Sequence, residues 1–260
     1  MRKKAAIRLL MLPTLLISAL AVLSLTQRTT ASESHGVTLQ VLREDIVDDL
    51  VPKKYRMRAT EITVEPGRWI GELTHGGRGM AYIFTGTVTF EEDGQRKSYR
   101  AGEGVSVARP GGHRYKNEGR DVLKLVAFEV FPAFPMDQGR TDEVQERKGI
   151  TASIKLEKEI DLPAGKQKQK MMLVHGTVAR GGFAGEHTHR GAEMRVLLSG
   201  SLTMTMHQHE EIYKKGEYAF EPPNTHMMKV EGDQNTDTDF IIFEVGNERE
   251  LDAIYHPDGR

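Results

Sequence analysis

The sequence predicts an all-β protein made of two tandem antiparallel β-barrels. Three observations support this prediction: an internal repeat at an offset of about 114 residues, short alternating or apolar segments bounded by turn residues, and no sustained helical periodicity after residue 31. A chain of 260 residues is also long enough for two domains that each bury a hydrophobic core.

The repeat is visible when the sequence is compared with itself. The stretch "TVEPGRWIGELTHGGRGMAYIFTGTVTF" at 63–90 aligns without a gap with "TVARGGFAGEHTHRGAEMRVLLSGSLTM" at 177–204. Identical residues at matching positions include Gly71/Gly185, Glu72/Glu186, His75/His189, Met80/Met194, Gly86/Gly200 and Tyr99/Tyr213. A deletion of one residue then aligns His113 with His226. The repeat predicts an N-terminal domain over residues 45–131 and a C-terminal domain over residues 151–250.

Each copy consists of segments with strand periodicity, such as "AYIFTGTVTF" and "MRVLLSGSLTMTM", followed by the polar turn sequences "EEDGQRK" and "HQHEE". Strands this short and closely spaced are typical of sandwiches and barrels. The intervening "FPAFPMDQGRTDEVQERKG" loses the alternation, which predicts a linker over residues 132–150. One segment, "LREDIVDDLV" at 42–51, has the composition of a short helix.

Residues 1–31 have the pattern of an export signal. Basic residues precede an apolar run from Leu9 to Leu25, and the small residues Thr29-Thr30-Ala31 follow. We expect cleavage and a periplasmic or secreted protein without stable membrane insertion. The alternative is an uncleaved membrane anchor, although Pro13 and Gln27 make a membrane-spanning helix less favourable.

The rest of the chain is acidic and gives no reason to expect a nucleic-acid partner. The chain has no cysteine and therefore no disulfide.

The candidate site lies in "EHTHRGAEMRVLLSG" at 186–200. His187 and His189 occupy alternate positions, so on a strand both imidazoles point to the same face. A bend at Gly191 would bring Glu193 to the same point, since glycine tolerates such a conformation. A further imidazole, His226, follows the turn sequence "PPNT". Three imidazoles and one carboxylate suit Mn, Fe, Ni, Zn or Cu and exclude a calcium-like site made only of oxygen ligands.

This residue pattern resembles the cupin superfamily. Its first motif, a glycine followed by His-x-His-x(3,4)-Glu-x(6)-Gly, is matched at Gly181, His187, His189, Glu193 and Gly200. Its second motif is matched at Gly216 and Pro222, whereas Asn224 replaces a glycine and His226 arrives one residue early. Because both copies are covered, the chain resembles a bicupin, with two jelly-roll barrels.

The resemblance implies that His187, His189, Glu193 and His226 bind one divalent metal ion inside the second barrel. It further implies a metal-dependent enzyme of the oxygenase, decarboxylase or isomerase type, acting on a small oxygen-rich organic molecule. The alternatives are a periplasmic protein that binds a metal or a small ligand without turnover, and a purely structural metal. The resemblance also leaves a homodimer open.

The first copy departs from the pattern at two of the matching positions. Leu73 replaces the first histidine and Gly79 replaces the glutamate, so that only His75 and His113 are kept. Two imidazoles make a weak metal site. We expect this copy to be a structural or dimerising partner. The alternative is a metal-free ligand pocket in which Arg109 binds an anion.

Overall fold

The computed structural model describes residues 34–47, 50, 54–71, 77–92, 95–107, 114–133, 148–162, 168–207 and 209–255. The export signal predicted over residues 1–31 therefore lies outside the described residues, as do His75, Arg109, His113 and most of the predicted linker. Among the described residues, no helix has the length and hydrophobicity needed to cross a bilayer.

The described residues of the first half form nine strands. They are β1 (His35–Val47), β2 (Lys54–Val64), β3 (Trp69–Gly71), β4 (Arg78–Thr85), β5 (Thr87–Glu92), β6 (Gln95–Arg100), β7 (Gly104–Val107), β8 (Arg114–Lys116) and β9 (Leu123–Pro132).

The described residues of the second half form ten strands and one helix. They are β10 (Ile150–Asp161), β11 (Gln169–Ala184), β12 (His187–Thr188), β13 (Ala192–Ser199), β14 (Ser201–Met206), β15 (His209–Lys214), β16 (Tyr218–Glu221), β17 (His226–Met227), β18 (Lys229–Gly232), β19 (Thr238–Asn247) and α1 (Glu248–Tyr255). The all-β fold class predicted from the sequence is confirmed.

These strands build two antiparallel barrels. In the first barrel, a sheet of order β10-β2-β9-β4-β7 faces a sheet of order β3-β8-β5-β6. In the second barrel, a sheet of order β15-β14-β18-β11-β19-β13-β16 curves almost closed, and the short pair β12-β17 lies beside it. Glycines at matching turns, Gly86 and Gly200, have φ values of 82° and 67°, which an L side chain rarely adopts.

The two halves exchange a strand. β1 pairs along its length with β11 of the second barrel, from Val47 opposite Gln169 to His35 opposite Phe183. In return, β10 pairs with β2 of the first barrel. Each barrel thus contains one strand from the other half of the chain.

A shared hydrophobic core joins the two barrels. It contains Phe128 of β9 and Phe243 of β19, whose rings are stacked with centroids 5.6 Å apart and planes inclined by 9°. Nearby, the Tyr218 hydroxyl donates a hydrogen bond of 2.9 Å to Glu61 of the first barrel. Because the barrels share buried aromatic surface, we expect them to unfold together.

The structure differs from the sequence prediction at two places. The segment "LREDIVDDLV" does not begin a helix, because Leu42 to Val47 belong to β1 and pair with β11. Tertiary pairing overrides the weak helical preference of this segment. Conversely, helix α1 was not expected from the sequence. The Asn247 side chain accepts a hydrogen bond from the Arg249 amide at its N-terminus, and Leu251 is fully buried.

Candidate metal centre

The two histidines of the first motif lie at the mouth of the second barrel. His187 begins β12, and His189 follows it, with its backbone N–H bonded to the Thr225 carbonyl at 3.0 Å. As their alternate positions predict, the two rings come together, with Nε2 atoms 3.1 Å apart. The His187 Nδ1 lies 2.6 Å from the Gly185 carbonyl, a contact that leaves Nε2 facing His189.

Two glutamates flank the His189 ring. Its Nδ1 lies 3.1 Å from Glu193 Oε2, and its Nε2 lies 3.0 Å from Glu221 Oε2. His189, Glu193 and Glu221 thus offer three ligand atoms that lie within 4.8 Å of one another. Of the four predicted ligands, His189 and Glu193 belong to this group, His187 contacts it through the His189 ring, and Glu221 was not predicted.

Glu193 is the middle member of a row of carboxylates across three strands. On one side it pairs directly with Glu221 of β16, and on the other with Glu244 of β19. Directly paired residues point to the same face, here the barrel interior, and all three are at most 2% exposed. Glu244 accepts a 2.9 Å hydrogen bond from the Gly191 amide, which fixes the bend between β12 and β13.

Arg195 supplies the positive charge that balances this row. Its guanidinium forms ion pairs with Glu193 and, at 3.2 Å, with Glu221. It also lies 5.0 Å from the centre of the Phe240 ring and donates to Met204 Sδ at 3.6 Å. The residue is 3% exposed, so its charge is buried beside the two carboxylates and does not face solvent.

Several carboxylate oxygens of the cluster remain without an aligned hydrogen-bond donor. Among the described residues, none donates to Glu193 Oε2 or to either oxygen of Glu221, although His189 and Arg195 lie within ion-pair distance. Buried oxygens of this kind are costly unless another partner satisfies them. Imidazole and carboxylate ligand atoms within 4.8 Å of one another suit a divalent transition metal.

Charge and burial oppose each other at these residues. Burial alone would lower the pKa of His189, but the carboxylates of Glu193 and Glu221 raise it well above its ordinary value. Burial, with the nearby His189, lowers the pKa of His187 and keeps its ring neutral. Burial would raise the pKa of Glu193, but Arg195 and His189 lower it to about 2. Glu193 is therefore an anion at neutral pH.

His226 lies at the rim, on the other face of the short strand pair. It is paired directly with Thr188, whose hydroxyl lies 3.1 Å from its Nδ1, whereas His187 is paired with Met227. The His226 Nε2 contacts Glu186 at 3.0 Å. The structure thus places this fourth predicted ligand beside the cluster but does not bring its ring to the other three side chains.

The first barrel lacks three of the four charged residues at the corresponding positions; it keeps the fourth, because Glu129, paired with Gly79, matches Glu244 and is buried. Gly79 stands where the second barrel has Glu193, Ala81 where it has Arg195, and Val107 where it has Glu221. Ala81 and Val107 belong to the core of the first barrel. A Cβ atom on Gly79 would lie 2.1 Å from the Phe128 carbonyl oxygen, so a side chain requires a backbone shift. The charges of Glu193, Arg195 and Glu221 are therefore specific to the second barrel.

Sequence reasoning missed Arg195 and Glu221. Both lie on strands in positions that alternate with buried apolar residues, and neither belongs to the motif. The signal that could have found them was the comparison of the two copies, because Ala81 and Val107 become Arg195 and Glu221 at the same offset that aligns the histidines.

Comparison with known proteins supports the fold and family. A family model described as "Cupin domain" matches residues 60–129 and 174–242, which together are more than half of the chain. The chain belongs to the cupin family. Because the model matches twice, this cupin has two domains, and the predicted bicupin organisation is confirmed. No curated protein sequence matches the chain.

Solved structures similar to this cupin include oxalate decarboxylases. Oxalate decarboxylase from Lactobacillus farciminis, in a formate complex, is 9% identical, with a TM-score of 0.53 over 83% of this chain and 90% of that chain. A point mutant of the Bacillus subtilis oxalate decarboxylase OxdC is 14% identical, with a TM-score of 0.50 over 86% and 80%. AerE from Microcystis aeruginosa is 12% identical, with a TM-score of 0.52 over 79% and 98%. At these identities the likeness concerns the fold alone.

Proposed function

We propose that this bicupin is a metal-dependent enzyme that acts on a small, oxygen-rich organic molecule in its second barrel. His187, His189 and Glu193 would hold one divalent ion, with His226 as the further donor that the family motif implies. Glu221 lies close enough to His189 to be an additional ligand. Manganese, iron, nickel, zinc and copper all suit such a donor set.

The observation that carries this proposal is the contrast between the two barrel interiors. The second barrel buries Glu193, Glu221 and Arg195, whereas the first places glycine, valine and alanine at these positions. Burying charges costs several kcal/mol for each ion, and apolar residues of similar volume are often at least as stable. The first barrel shows that the fold does not require these charges. Their retention in one barrel favours a function over a structural need.

The residues around the proposed site have separable roles. A bound divalent ion would polarise carboxylate or carbonyl oxygens of a substrate as a Lewis acid. The neutral His187 ring has its Nε2 available as a donor, because Gly185 engages its other nitrogen. Arg195 holds Glu193 and Glu221 in place through its ion pairs with both carboxylates. The apolar residues Leu197 and Ala219 on the same strands limit water in the interior.

An assay with metal-loaded protein tests the enzyme proposal. Oxalate is a suitable first substrate, since two fold relatives are oxalate decarboxylases, followed by other small hydroxy and keto acids. We expect turnover of at least one compound in the wild type and its loss in His189→Ala. The exposed His209 gives a matched control, His209→Ala, that keeps activity. Stoichiometric metal without any turnover across the panel would support a binding protein instead.

We further propose that the chain is exported, on the basis of the pattern in residues 1–31. Expression of the full chain in a bacterium, followed by fractionation and mass measurement, tests this. A periplasmic product that has lost the N-terminal segment is expected. A cytoplasmic product of full mass would contradict it.

A further inference from the structure

We propose that the first barrel carries a separate binding site for a small planar organic carboxylate, in a cavity between β6 and β7. The cavity has a volume of about 360 Å³, within the range of small-molecule sites. Its lining combines aromatic, cationic and hydroxyl groups: Arg43, Phe90, Gln95, Lys97, Tyr99, Val105 and Ser106. These residues are distinct from those of the metal centre, and the site does not depend on the function proposed for that centre.

The cavity exists because the two sheets of the first barrel do not pair with each other at this edge. β7 is the last strand of one sheet, and β6 is the last strand of the other. The gap is bounded on the outside by β1, which belongs to the sheet of the second barrel. Gly104 of β7 allows this approach, because a Cβ atom there would lie 2.7 Å from Leu173 Cδ2 and 3.1 Å from Leu42 Cβ. The site is thus built where the barrels meet.

Aromatic rings form the inner wall. Phe90 and Tyr99 meet edge to face with centroids 5.5 Å apart, and both pack on the core of the first barrel. Val105 completes this wall from β7 and is 4% exposed. An apolar planar group would bury its surface against these side chains.

Cationic and polar groups form the outer rim. Lys97 lies 4.9 Å from the centre of the Tyr99 ring and forms no ion pair within the described part of the chain. Across the gap, Arg43 donates a 2.7 Å hydrogen bond to Ser106 and pairs with Asp45 at 2.9 Å. Asp45 offsets the charge of Arg43, so among the residues that the structure describes Lys97 provides the uncompensated positive charge of the rim. An anion with an apolar body matches a wall and rim of this kind.

The second barrel has the opposite character at the same place. The residues that match Gln95, Lys97 and Tyr99 are His209, Glu211 and Tyr213. There the Tyr213 hydroxyl donates to Glu211, and His209 contacts the same carboxylate at 2.8 Å. The polar groups at these positions of the second barrel thus bond to one another, and the negatively charged Glu211 stands where the first barrel has the positively charged Lys97. This difference predicts that the anion site at this edge is present in the first barrel and not at the same edge of the second.

Benzoate is the probe that tests the proposal, with benzamide as its neutral isostere. Calorimetric titration of metal-free wild-type protein is expected to show one saturable benzoate site, with benzamide bound more weakly. Replacing Lys97 by the residue of the second barrel, Lys97→Glu, is expected to weaken benzoate binding about tenfold, because an attraction becomes a repulsion. The exposed Lys124 gives the matched control, Lys124→Glu, which keeps the wild-type affinity.

The metal centre provides a second control, since Glu193→Gln is expected to leave benzoate affinity unchanged. Because Lys97 is exposed, its replacement does not disturb the core, and loss of binding reports on the rim. Weaker binding at higher salt is expected for an exposed charge. Equal binding of benzoate and benzamide, unaltered affinity in Lys97→Glu, or no saturable benzoate binding at millimolar concentration would each overturn the proposal.

Discussion

Glu193 and Glu221 lie directly opposite each other on paired strands inside the second barrel, with the His189 ring between their carboxylates. Two like charges in direct register are unfavourable on a sheet, and burial increases the cost. Arg195 contacts both carboxylates and compensates in part. In the metal-free protein His189, whose pKa these carboxylates raise, supplies a second positive charge, and a divalent ion would replace that charge when the neutral imidazole binds it. We therefore expect this charge balance to control both the stability and the metal affinity of the second barrel.

Replacing Arg195 by methionine is expected to destabilise the metal-free protein by about 3–5 kcal/mol, because it removes one of the two cations, Arg195 and His189, that contact the two buried carboxylates. Urea unfolding measures the change in the free energy of unfolding. The control is Arg96→Met, which removes a more exposed ion pair with Glu118 and should cost at most about 1 kcal/mol. Similar losses in both variants would show that Arg195 does not balance the cluster.

Glu221→Gln is expected to weaken metal binding by about 10–100-fold, because it removes a charge that lies against a ligand. It should not lower the stability of the metal-free protein, since it relieves the repulsion of Glu193. Competition with a chelator measures the affinity. Glu231→Gln, which alters a partly exposed ion pair with Lys229, is the matched control and should bind metal normally. Unchanged affinity in Glu221→Gln would exclude Glu221 from the metal site.

We expect the first barrel to lose stability when a side chain is introduced at position 79, which matches Glu193 of the second barrel. Gly79→Ala is expected to cost about 2–3 kcal/mol, because the added methyl group meets the backbone of Phe128. In Gly119→Ala the nearest atom is 3.2 Å from the new Cβ atom and belongs to the Asn117 side chain, so the cost should be smaller. Thermal unfolding compares the two. A harmless Gly79→Ala would mean that the backbone in β4 has room for the missing glutamate.

The shared core predicts that both barrels unfold in one transition. Phe243→Ala should cost about 3–5 kcal/mol and lower the stability of the whole molecule, since Phe243 packs against Phe128 of the other barrel. Val122→Ala, at a side chain that is 40% exposed, serves as control and should change little. Calorimetry that resolves two transitions, only one of them shifted by Phe243→Ala, would contradict a common core.

The alternation of apolar and polar residues and the internal repeat of the sequence were sufficient to predict the fold. The alternation of His187 and His189 and the glycines repeated at 86 and 200 identify strands and turns from short-range patterns. Strand exchange was not predictable in this way. The pairing of β1 with β11 joins residues that are distant in sequence, and neither strand specifies its partner by composition.

For the site, the motif identified the side chains that project from one strand and its bend. It could not identify Glu221, because cross-strand register places that residue opposite Glu193. Arg195 was missed for a similar reason: a lone cation in an apolar strand shows its role only beside the carboxylates it contacts. The position of His226 on the Thr188 face likewise depends on how β12 pairs with β17.

The metal centre is tested most directly by the number of divalent ions bound per chain, determined by metal analysis of the purified wild type and of Glu193→Gln. We expect one ion per chain in the wild type, held by the second barrel, and its loss in Glu193→Gln. A wild type without stoichiometric metal, or a Glu193→Gln variant that retains the ion with full affinity, would contradict a metal centre at these residues.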